Sequence, residues 1–153
     1  ANFEDIRPKG NGYVLYVKGK GQDAKADYVV LKENVLDAIR EYKMCLEDVK
    51  DSDPLFKSFS NRNKSGNLNT KTIRQMVKLR LRDIGIISDK ISAHSLRHTA
   101  VTLSIEFGAT LQEAQSMARH RDINTTMIYS HNYDRMKNSA EDKLEIGLNE
   151  ALP

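Results

Sequence analysis

Residues 91–129 constrain the fold most, because apolar residues recur there at helical spacing and helix-ending signals separate the runs. The first helix is predicted from about Ala93 to Phe107, and Gly108 ends it where a left-handed cap is needed. Its buried face is expected to consist of Leu96, Ala100, Leu103 and Phe107.

Two more helices are predicted directly after the first. Thr110-Leu-Gln-Glu113 has the pattern of a capping box, which begins a helix. Either Asp122 or Asn124 can cap a short third helix, which holds Tyr129.

The rest of the chain adds one small sheet and three more helices. Tyr13–Val17 and Tyr28–Leu31 are β-rich runs joined by a charged, Gly-containing turn, so they predict a hairpin. The first predicted helix runs from Glu33 to about Lys50, and its apolar stripe consists of Val35, Ile39, Tyr42, Leu46 and Val49. The second runs over Thr70–Asp83, is capped by Thr70 and ended by Gly85, and has the apolar residues Ile73, Val77, Leu81 and Ile84. The third is a tail helix from Asp134, with the apolar residues Met136, Ala140, Leu144 and Leu148. The expected fold class is mainly α with a small N-terminal antiparallel β-sheet (α+β).

Length and composition fit one domain over residues 1–153, with 39% apolar and 29% charged residues. No apolar run approaches the roughly 18 residues that a membrane span needs, so no membrane partner is expected. Cys45 is the one cysteine and cannot form an internal disulfide, which fits the cytoplasm of a bacterial or mobile-element host.

Residues 54–88 carry eight basic residues and one acidic residue, Asp83, in a chain whose net charge is +3. Such a cluster fits a phosphate-binding surface. It equally fits a solvated helix face beside a basic loop.

His94 and Arg97 stand about one helical turn apart near a predicted helix start. Arginine matches two phosphate oxygens, histidine exchanges a proton near neutrality, and a helix N-terminus favours an anion. The pair also fits a surface arginine beside a structural histidine. His98 follows His94 at metal-ligand spacing, but no cysteine lies nearby and no carboxylate precedes either histidine, so no metal and no cofactor are predicted.

Tyr129 lies in Thr125-Thr-Met-Ile-Tyr-Ser-His131, after a charged turn. A phenol is protonated at neutral pH, so as a nucleophile it needs cations and hydrogen bonds around the phosphate. The alternative is a half-buried tyrosine whose hydroxyl bonds to a core partner.

Three ordered motifs resemble the catalytic domain of the tyrosine recombinases, the phage integrase family. They are His94-Ser-Leu-Arg-His-Thr99, Ala118-Arg-His120 and Thr125-Thr-Met-Ile-Tyr-Ser-His131. That family has H-x-x-R-H, a later histidine usually preceded by glycine, and a nucleophilic tyrosine nine residues on. Phe3-Glu-Asp-Ile6 and the two strands around Gly19-Lys-Gly21 resemble its β-hairpin, so the resemblance covers nearly the whole chain.

The resemblance implies a role for each matching residue. Tyr129 attacks the scissile phosphate and gives a 3′-phosphotyrosine and a free 5′-hydroxyl. Arg97 holds the non-bridging oxygens, His94 assists proton transfer, and His120 hydrogen-bonds the phosphate. Lys20 protonates the departing 5′-oxygen.

The match leaves a choice between lysines and departs from the family pattern in two places. Lys18 and Lys25 lie near the same turn, but only Lys20 is flanked by glycines as in the family motif. Arg119 stands where the family usually has glycine. The family's further phosphate-binding arginine and its N-terminal DNA-binding domains are expected upstream of Ala1, and Arg7 lies too late to replace that arginine.

The resemblance implies a mobile-element integrase that recombines double-stranded DNA at defined sites. A type IB topoisomerase or a non-catalytic DNA-binding module are the alternatives. A homo-oligomer on DNA through the tail helix is expected, and the chain alone is expected to be inactive or weakly active. The predicted DNA-contacting residues are Lys57, Arg62, Lys64, Lys71, Arg74 and Lys78.

Overall fold

The computed structural model describes residues 1–19, 21–59, 66–137 and 139–151. Helices and one three-stranded antiparallel sheet near the N-terminus make up its regular structure, which confirms the predicted fold class. The chain divides into two compact units, Ala1–Gly85 and Ile86–Pro153. The single-domain organisation stays a prediction.

The sheet of the first unit follows a 3-10 turn at Phe3–Asp5. Its strands are β1 (Ile6–Lys9), β2 (Gly12–Val17) and β3 (Asp27–Leu31), all antiparallel and in that order. The predicted hairpin is β2–β3, and β1 was missed. Pro8 cannot donate a ladder hydrogen bond, which is tolerated because β1 lies at the edge of the sheet.

A buried carboxylate fastens the loop before β3 to the start of the chain. Asp5 is 2% exposed, and its Oδ2 accepts hydrogen bonds of 2.6 Å from Lys25 Nζ and from the Asn2 backbone N–H. Burial by itself raises the pKa of Asp5, but the Lys25 and Asn2 hydrogen bonds outweigh it and hold that pKa below its usual value. Asp5 is therefore an ionised group held by the fold.

The first helix of this unit, α1, spans Glu33–Met44 and is shorter than predicted. Asp48 adopts a left-handed conformation, φ 46°, which cannot continue a right-handed helix, so the prediction to Lys50 was wrong. The buried residue of α1 is Leu36, which lies outside the predicted stripe, whereas Val35 is exposed.

The second helix, α2, spans Thr70–Asp83 as predicted. Its cap is Asn69 rather than Thr70, because Asn69 Oδ1 accepts from the Thr72 backbone N–H at 2.8 Å. Gly85 follows in the left-handed conformation, φ 83°, as expected. Of the predicted apolar face, Leu81 is buried, Val77 is half-buried, and Ile73 and Ile84 are exposed.

The second unit consists of four helices among its described residues: α3 (Ala93–Glu106), α4 (Leu111–Ala118), α5 (Ile123–Lys137) and α6 (Ala140–Ala151). Helices α3, α4 and α5 pack on one another pairwise. Their buried residues are Val101, Ala114, Ala118 and Thr126. The bounds of α3 and the Thr110 capping box of α4 confirm the predictions.

The predicted buried face of α3 was wrong. Leu96, Leu103 and Phe107 are 44%, 40% and 82% exposed, and Ala100 is exposed as well. Helix α3 instead buries Val101 and half-buries Arg97, because the arginine reaches the end of α4. The contact of Arg97 is polar, so apolar periodicity does not record it.

The tail is not one helix from Asp134. Asp134 and Met136 belong to α5, and α6 begins after Ser139, whose Oγ accepts from the Asp142 backbone N–H at 3.0 Å. Leu144 and Leu148 of α6 are exposed. None of the helices in the described part of the chain is long and apolar enough to cross a membrane.

Candidate active site

The start of α3 fixes where its polar side chains project. Ser92 caps the helix and forms a capping box with Ser95, in which the Ser92 backbone N–H donates to Ser95 Oγ at 3.1 Å. His94, Arg97 and His98 then follow at helical spacing and share one side of the first two turns.

Arg97 connects α3 to the C-terminal end of α4. Its Nη2 donates to the carbonyl oxygen of Ala118, the last residue of α4. Carbonyls at a helix end lack intrahelical partners and carry partial negative charge, so a guanidinium is a favourable partner. A guanidinium has five N–H donors, and this bond leaves others for an anion.

The turn after α4 is a Schellman motif that positions His120. Arg119 is left-handed, φ 53° and ψ 43°, and its N–H donates to the Ser116 carbonyl at 3.1 Å. The His120 N–H donates to the Gln115 carbonyl at 3.1 Å, and Gln115 Nε2 returns a bond to the His120 carbonyl at 3.1 Å. The backbone of His120 is therefore held on both sides.

The imidazole of His120 is held by a buried threonine. Its Nδ1 lies 2.9 Å from Oγ1 of Thr126, which is fully buried on α5. Burial lowers the pKa of His120, and the nearby charges of Arg97 and His98 lower it further. The neutral form is thus favoured, and Nε2 is the nitrogen through which His120 can contact a phosphate.

Tyr129 lies on the second turn of α5. Asp122 is the cap of this helix, because its Oδ1 accepts from the Asn124 backbone N–H at 2.9 Å. The Tyr129 hydroxyl is hydrogen-bonded to Nδ1 of His98. Tyr129 is half-buried and His98 is exposed, so this contact lies at the surface.

We call His94, His98, His120 and Tyr129 the His–Tyr cluster, in which two imidazoles contact the tyrosine ring and the third contacts one of those two. The ring centroids of His98 and His120 lie 5.4 and 6.1 Å from that of Tyr129, and the His120 ring is stacked on it at 16°. His94 meets His98 edge-on at 4.4 Å between centroids. Two other segments of the same unit, α3 and the turn after α4, thus bring imidazoles to the phenol on α5.

Residues 4–136 match the model of the phage integrase family. The chain belongs to the phage integrase family. The resemblance drawn from its motifs is thereby confirmed.

Curated relatives carry the name tyrosine recombinase. The XerC of Caldanaerobacter subterraneus subsp. tengcongensis is 34% identical over 145 residues, which cover 93% of this chain and 38% of that protein. The XerD of Rhizobium meliloti is 33% identical over 121 residues, covering 79% and 38%. The chain therefore spans well under half the length of these relatives.

Solved recombinases share the fold. A XerH site-specific recombinase bound to difH substrate in a pre-cleavage complex is 26% identical, with a TM-score of 0.66 over 91% of this chain and 38% of that one. A post-cleavage XerH complex has a TM-score of 0.71 at 24% identity, covering 94% and 40%, and shows the fold alone.

The site residues predicted from the sequence are a catalytic set, which includes Lys20, and a set of DNA-contacting lysines and arginines. Arg97, His94, His120 and Tyr129 come together in the second unit. Lys20, Arg62 and Lys64 lie outside the described residues.

The residues next to Lys20 bear on the prediction that Lys20, rather than Lys18 or Lys25, is the catalytic lysine. Gly21 has φ 74°, which favours glycine there, whereas a Cβ on Gly19 would meet only the side-chain ends of Asp27 and Gln22, which can move. Lys25, one of the two other lysines of this turn, is bound to Asp5 at 2.6 Å.

The predicted DNA-contacting lysines and arginines differ in setting. Lys57 is half-buried and pairs with Asp53 at 2.8 Å. Lys71, Arg74 and Lys78 lie three and four residues apart on α2, so they share one face of that helix.

Sequence reasoning gave no catalytic role to two residues of the site, His98 and Thr126. Helical spacing could have indicated both residues. His98 is four residues after His94 and Thr126 is three residues before Tyr129, so each shares a helix face with a residue already predicted to be catalytic. Among the described residues, no group of three or more His, Cys, Asp or Glu side chains is arranged to hold a metal ion.

Proposed function

We propose that this chain is the catalytic part of a site-specific tyrosine recombinase, which cleaves and rejoins double-stranded DNA through Tyr129. The observation that carries the proposal is the His–Tyr cluster, in which two imidazoles lie against the phenol and a third abuts one of them. A structural tyrosine would give its hydroxyl to a buried partner, whereas Tyr129 bonds to an exposed histidine.

The proposed reaction is a transesterification. The Tyr129 hydroxyl attacks the scissile phosphate, forming a 3′-phosphotyrosine and releasing a 5′-hydroxyl. Arg97 holds the non-bridging oxygens through the N–H groups that Ala118 does not use. His120 adds a hydrogen bond through Nε2, since Thr126 engages Nδ1. Fixed cations and donors at the equatorial oxygens lower the barrier by electrostatic preorganisation.

The leaving 5′-oxygen also needs a proton, and we assign this role to Lys20. Support comes from the two glycines that flank it, as in the family motif, and from Lys25, which is engaged with Asp5. The phosphotyrosine stores the energy of the cleaved bond, so rejoining needs no nucleotide cofactor. No step of this scheme requires a metal.

Two narrower proposals follow from the same resemblance. The parent protein is an integrase of a mobile element, and it assembles on DNA as a homo-oligomer through α6. The exposed Leu144, Ile146 and Leu148 support the second of these, because apolar residues along a helix favour a partner surface. The names of the relatives support recombination in general rather than either narrower statement.

The test is covalent capture on DNA. The chain is placed in a chimera that replaces the matching part of the Caldanaerobacter XerC, and the chimera is incubated with a suicide duplex carrying that relative's recombination site. We expect a denaturation-resistant adduct that maps to Tyr129 by peptide mass spectrometry and disappears with Tyr129→Phe. His131→Asn changes an exposed residue two positions away and should leave the adduct unchanged.

The outcomes separate the candidate functions. An adduct that survives Tyr129→Phe contradicts the nucleophile assignment. Relaxation of supercoiled plasmid without strand exchange between two sites favours a topoisomerase of type IB. DNA binding with no adduct in the chimera favours a non-catalytic binding module.

A further inference from the structure

His98 is the side chain that contacts the reacting atom of the proposed nucleophile. Its Nδ1 is hydrogen-bonded to the Tyr129 hydroxyl, whereas His94 packs edge-on against the His98 ring. The family resemblance assigned proton transfer to His94. In the structure, however, His98 is hydrogen-bonded to the Tyr129 hydroxyl, and His94 contacts the His98 ring.

We infer that His98 Nδ1 accepts the phenol proton of Tyr129 as the nucleophile attacks. The inference rests on the proposed function, because it concerns the same reaction. It makes His98 a catalytic residue in the sense that it touches a reacting atom, and it makes His94 a positioning residue for the His98 ring.

The Tyr129 O–H bond breaks and its proton passes to Nδ1 of His98, while the bond from Oη to phosphorus forms. The bond from phosphorus to the 5′-oxygen breaks, and that oxygen takes a proton from the acid that we assign to Lys20. In the rejoining step the 5′-hydroxyl attacks phosphorus and returns its proton to Lys20, the bond from phosphorus to Oη breaks, and the His98 imidazolium returns its proton to Oη.

The surroundings of His98 suit this role. For Nδ1 to accept, the neutral ring must carry its proton on Nε2, and an imidazole is the side chain that gains and loses a proton near neutral pH. The rings of His94 on α3 and Tyr129 on α5 contact His98, its charge interacts with His120 after α4, and Arg97 precedes it on α3. The proton it takes up is therefore placed beside the phosphate that Arg97 and His120 are proposed to hold.

The first test reads the proton directly in the 153-residue chain by ¹⁵N NMR of its histidines. We expect neutral His98 to be the Nε2–H tautomer, with an Nδ1 signal that shifts in Tyr129→Phe. His98 protonated on Nδ1 in its neutral form overturns the inference. An Nδ1 signal that is unchanged by Tyr129→Phe overturns it as well, because the hydrogen bond would then be absent.

The second test measures phenol reactivity without DNA. An aryl sulfonyl fluoride labels phenolates, so its rate at Tyr129, read by peptide mass spectrometry, reports how readily the proton leaves. We expect His98→Asn to slow labelling at least about 10-fold, because an amide fills the position of Nδ1 but takes up no proton. His131→Asn, the same exchange at an exposed position, should not change it. Equal rates in His98→Asn and the unsubstituted chain count against the inference.

Covalent capture in the chimera separates this inference from the proposed function. We expect His98→Asn to slow adduct formation about 10²-fold or more and to remove an ionisation from its pH profile. A 3-fluorotyrosine at position 129, whose phenol is more acidic, should recover part of that loss, which a merely structural defect would not allow. If Tyr129 forms the adduct equally fast in His98→Asn, the proposed function stands and the role of His98 does not. If labelling depends on His98 but no adduct forms, the hydrogen bond stands and the proposed function fails.

Discussion

The left-handed turn at Arg119 explains why glycine suits the position before the histidine in this family. A side chain at φ 53° costs roughly 1–2 kcal/mol relative to the right-handed region. We expect Arg119→Gly to raise the free energy of unfolding by about 1 kcal/mol, partly offset by the larger entropy of an unfolded glycine. Urea unfolding of the chain measures this.

Arg119→Ala is the matched control for that exchange. It removes the same side-chain interactions but keeps a Cβ in the left-handed conformation. The backbone explanation requires Gly to be more stable than Ala at this position. An alanine variant as stable as the glycine variant would contradict it.

The hydroxyl of Thr126 is expected to fix the tautomer of His120. Thr126→Val keeps the shape of the buried side chain but removes the partner of Nδ1, so His120 loses its fixed orientation. We expect adduct formation in the chimera to fall about 10-fold or more. Thr126→Ser keeps the hydroxyl and should retain most of the rate, although it also loses a buried methyl group. Equal loss in both variants would indicate packing rather than hydrogen bonding.

The lowered pKa of His120 predicts a pH dependence of folding. The pKa of histidine is about 6.5 in the unfolded chain and lower in the folded one. Between these two pKa values the unfolded chain therefore binds more protons than the folded chain. The contribution of His120 to stability is therefore full above about pH 6.5 and is lost as the pH falls through the folded pKa. His120→Asn should flatten this part of the stability curve, whereas His131→Asn should leave it unchanged. If the stability of the unsubstituted chain depends on pH in the same way as that of His120→Asn, the pKa of His120 is not lowered.

At the scale of elements, the ion pair between Lys25 and Asp5 holds the loop before β3. Lys25→Met should lower the free energy of unfolding by about 1 kcal/mol at pH 7, a value reduced for the 39% exposure of the lysine. Because the folded pKa of Asp5 is depressed, the stabilisation is present above about pH 4 and lost as the pH falls through that pKa. Lys18→Met, in the same loop and exposed, is the control. A loss that persists at pH ~2 would not fit an ionic origin.

Helix boundaries could be predicted where local chemistry sets them. The Thr110 capping box, and Gly85 and Gly108 after α2 and α3, act within one turn of the chain, so their signals are complete in the sequence. The apolar pattern after α1 continues to Val49, but the helix ends at Met44, so the prediction overran it.

The rotation of α3 and the order of the histidines could not be predicted in the same way. Apolar spacing favoured Leu96 and Leu103 as the buried face, but Val101 is buried instead and Arg97 contacts the end of α4. In this orientation of α3, His98 contacts Tyr129, which is 31 residues later in the chain. The residue types of the site could be read from the sequence, whereas their contacts depend on packing between helices.

At the scale of the whole molecule, the chain carries its excess positive charge in residues 54–88, where Lys71, Arg74 and Lys78 share one face of α2. Each phosphate contact releases counterions, so its loss should reduce the slope of log K against log salt by about 0.9. We expect this for Arg74→Ala, measured by fluorescence anisotropy on a labelled duplex between about 50 and 200 mM salt. Arg80→Ala removes the same charge from another face of the same helix, where Arg80 pairs with Asp83 at 3.1 Å, and should leave the slope nearly unchanged. Equal changes in the two variants would mean that DNA responds to the net charge of α2 rather than to the face that carries Arg74.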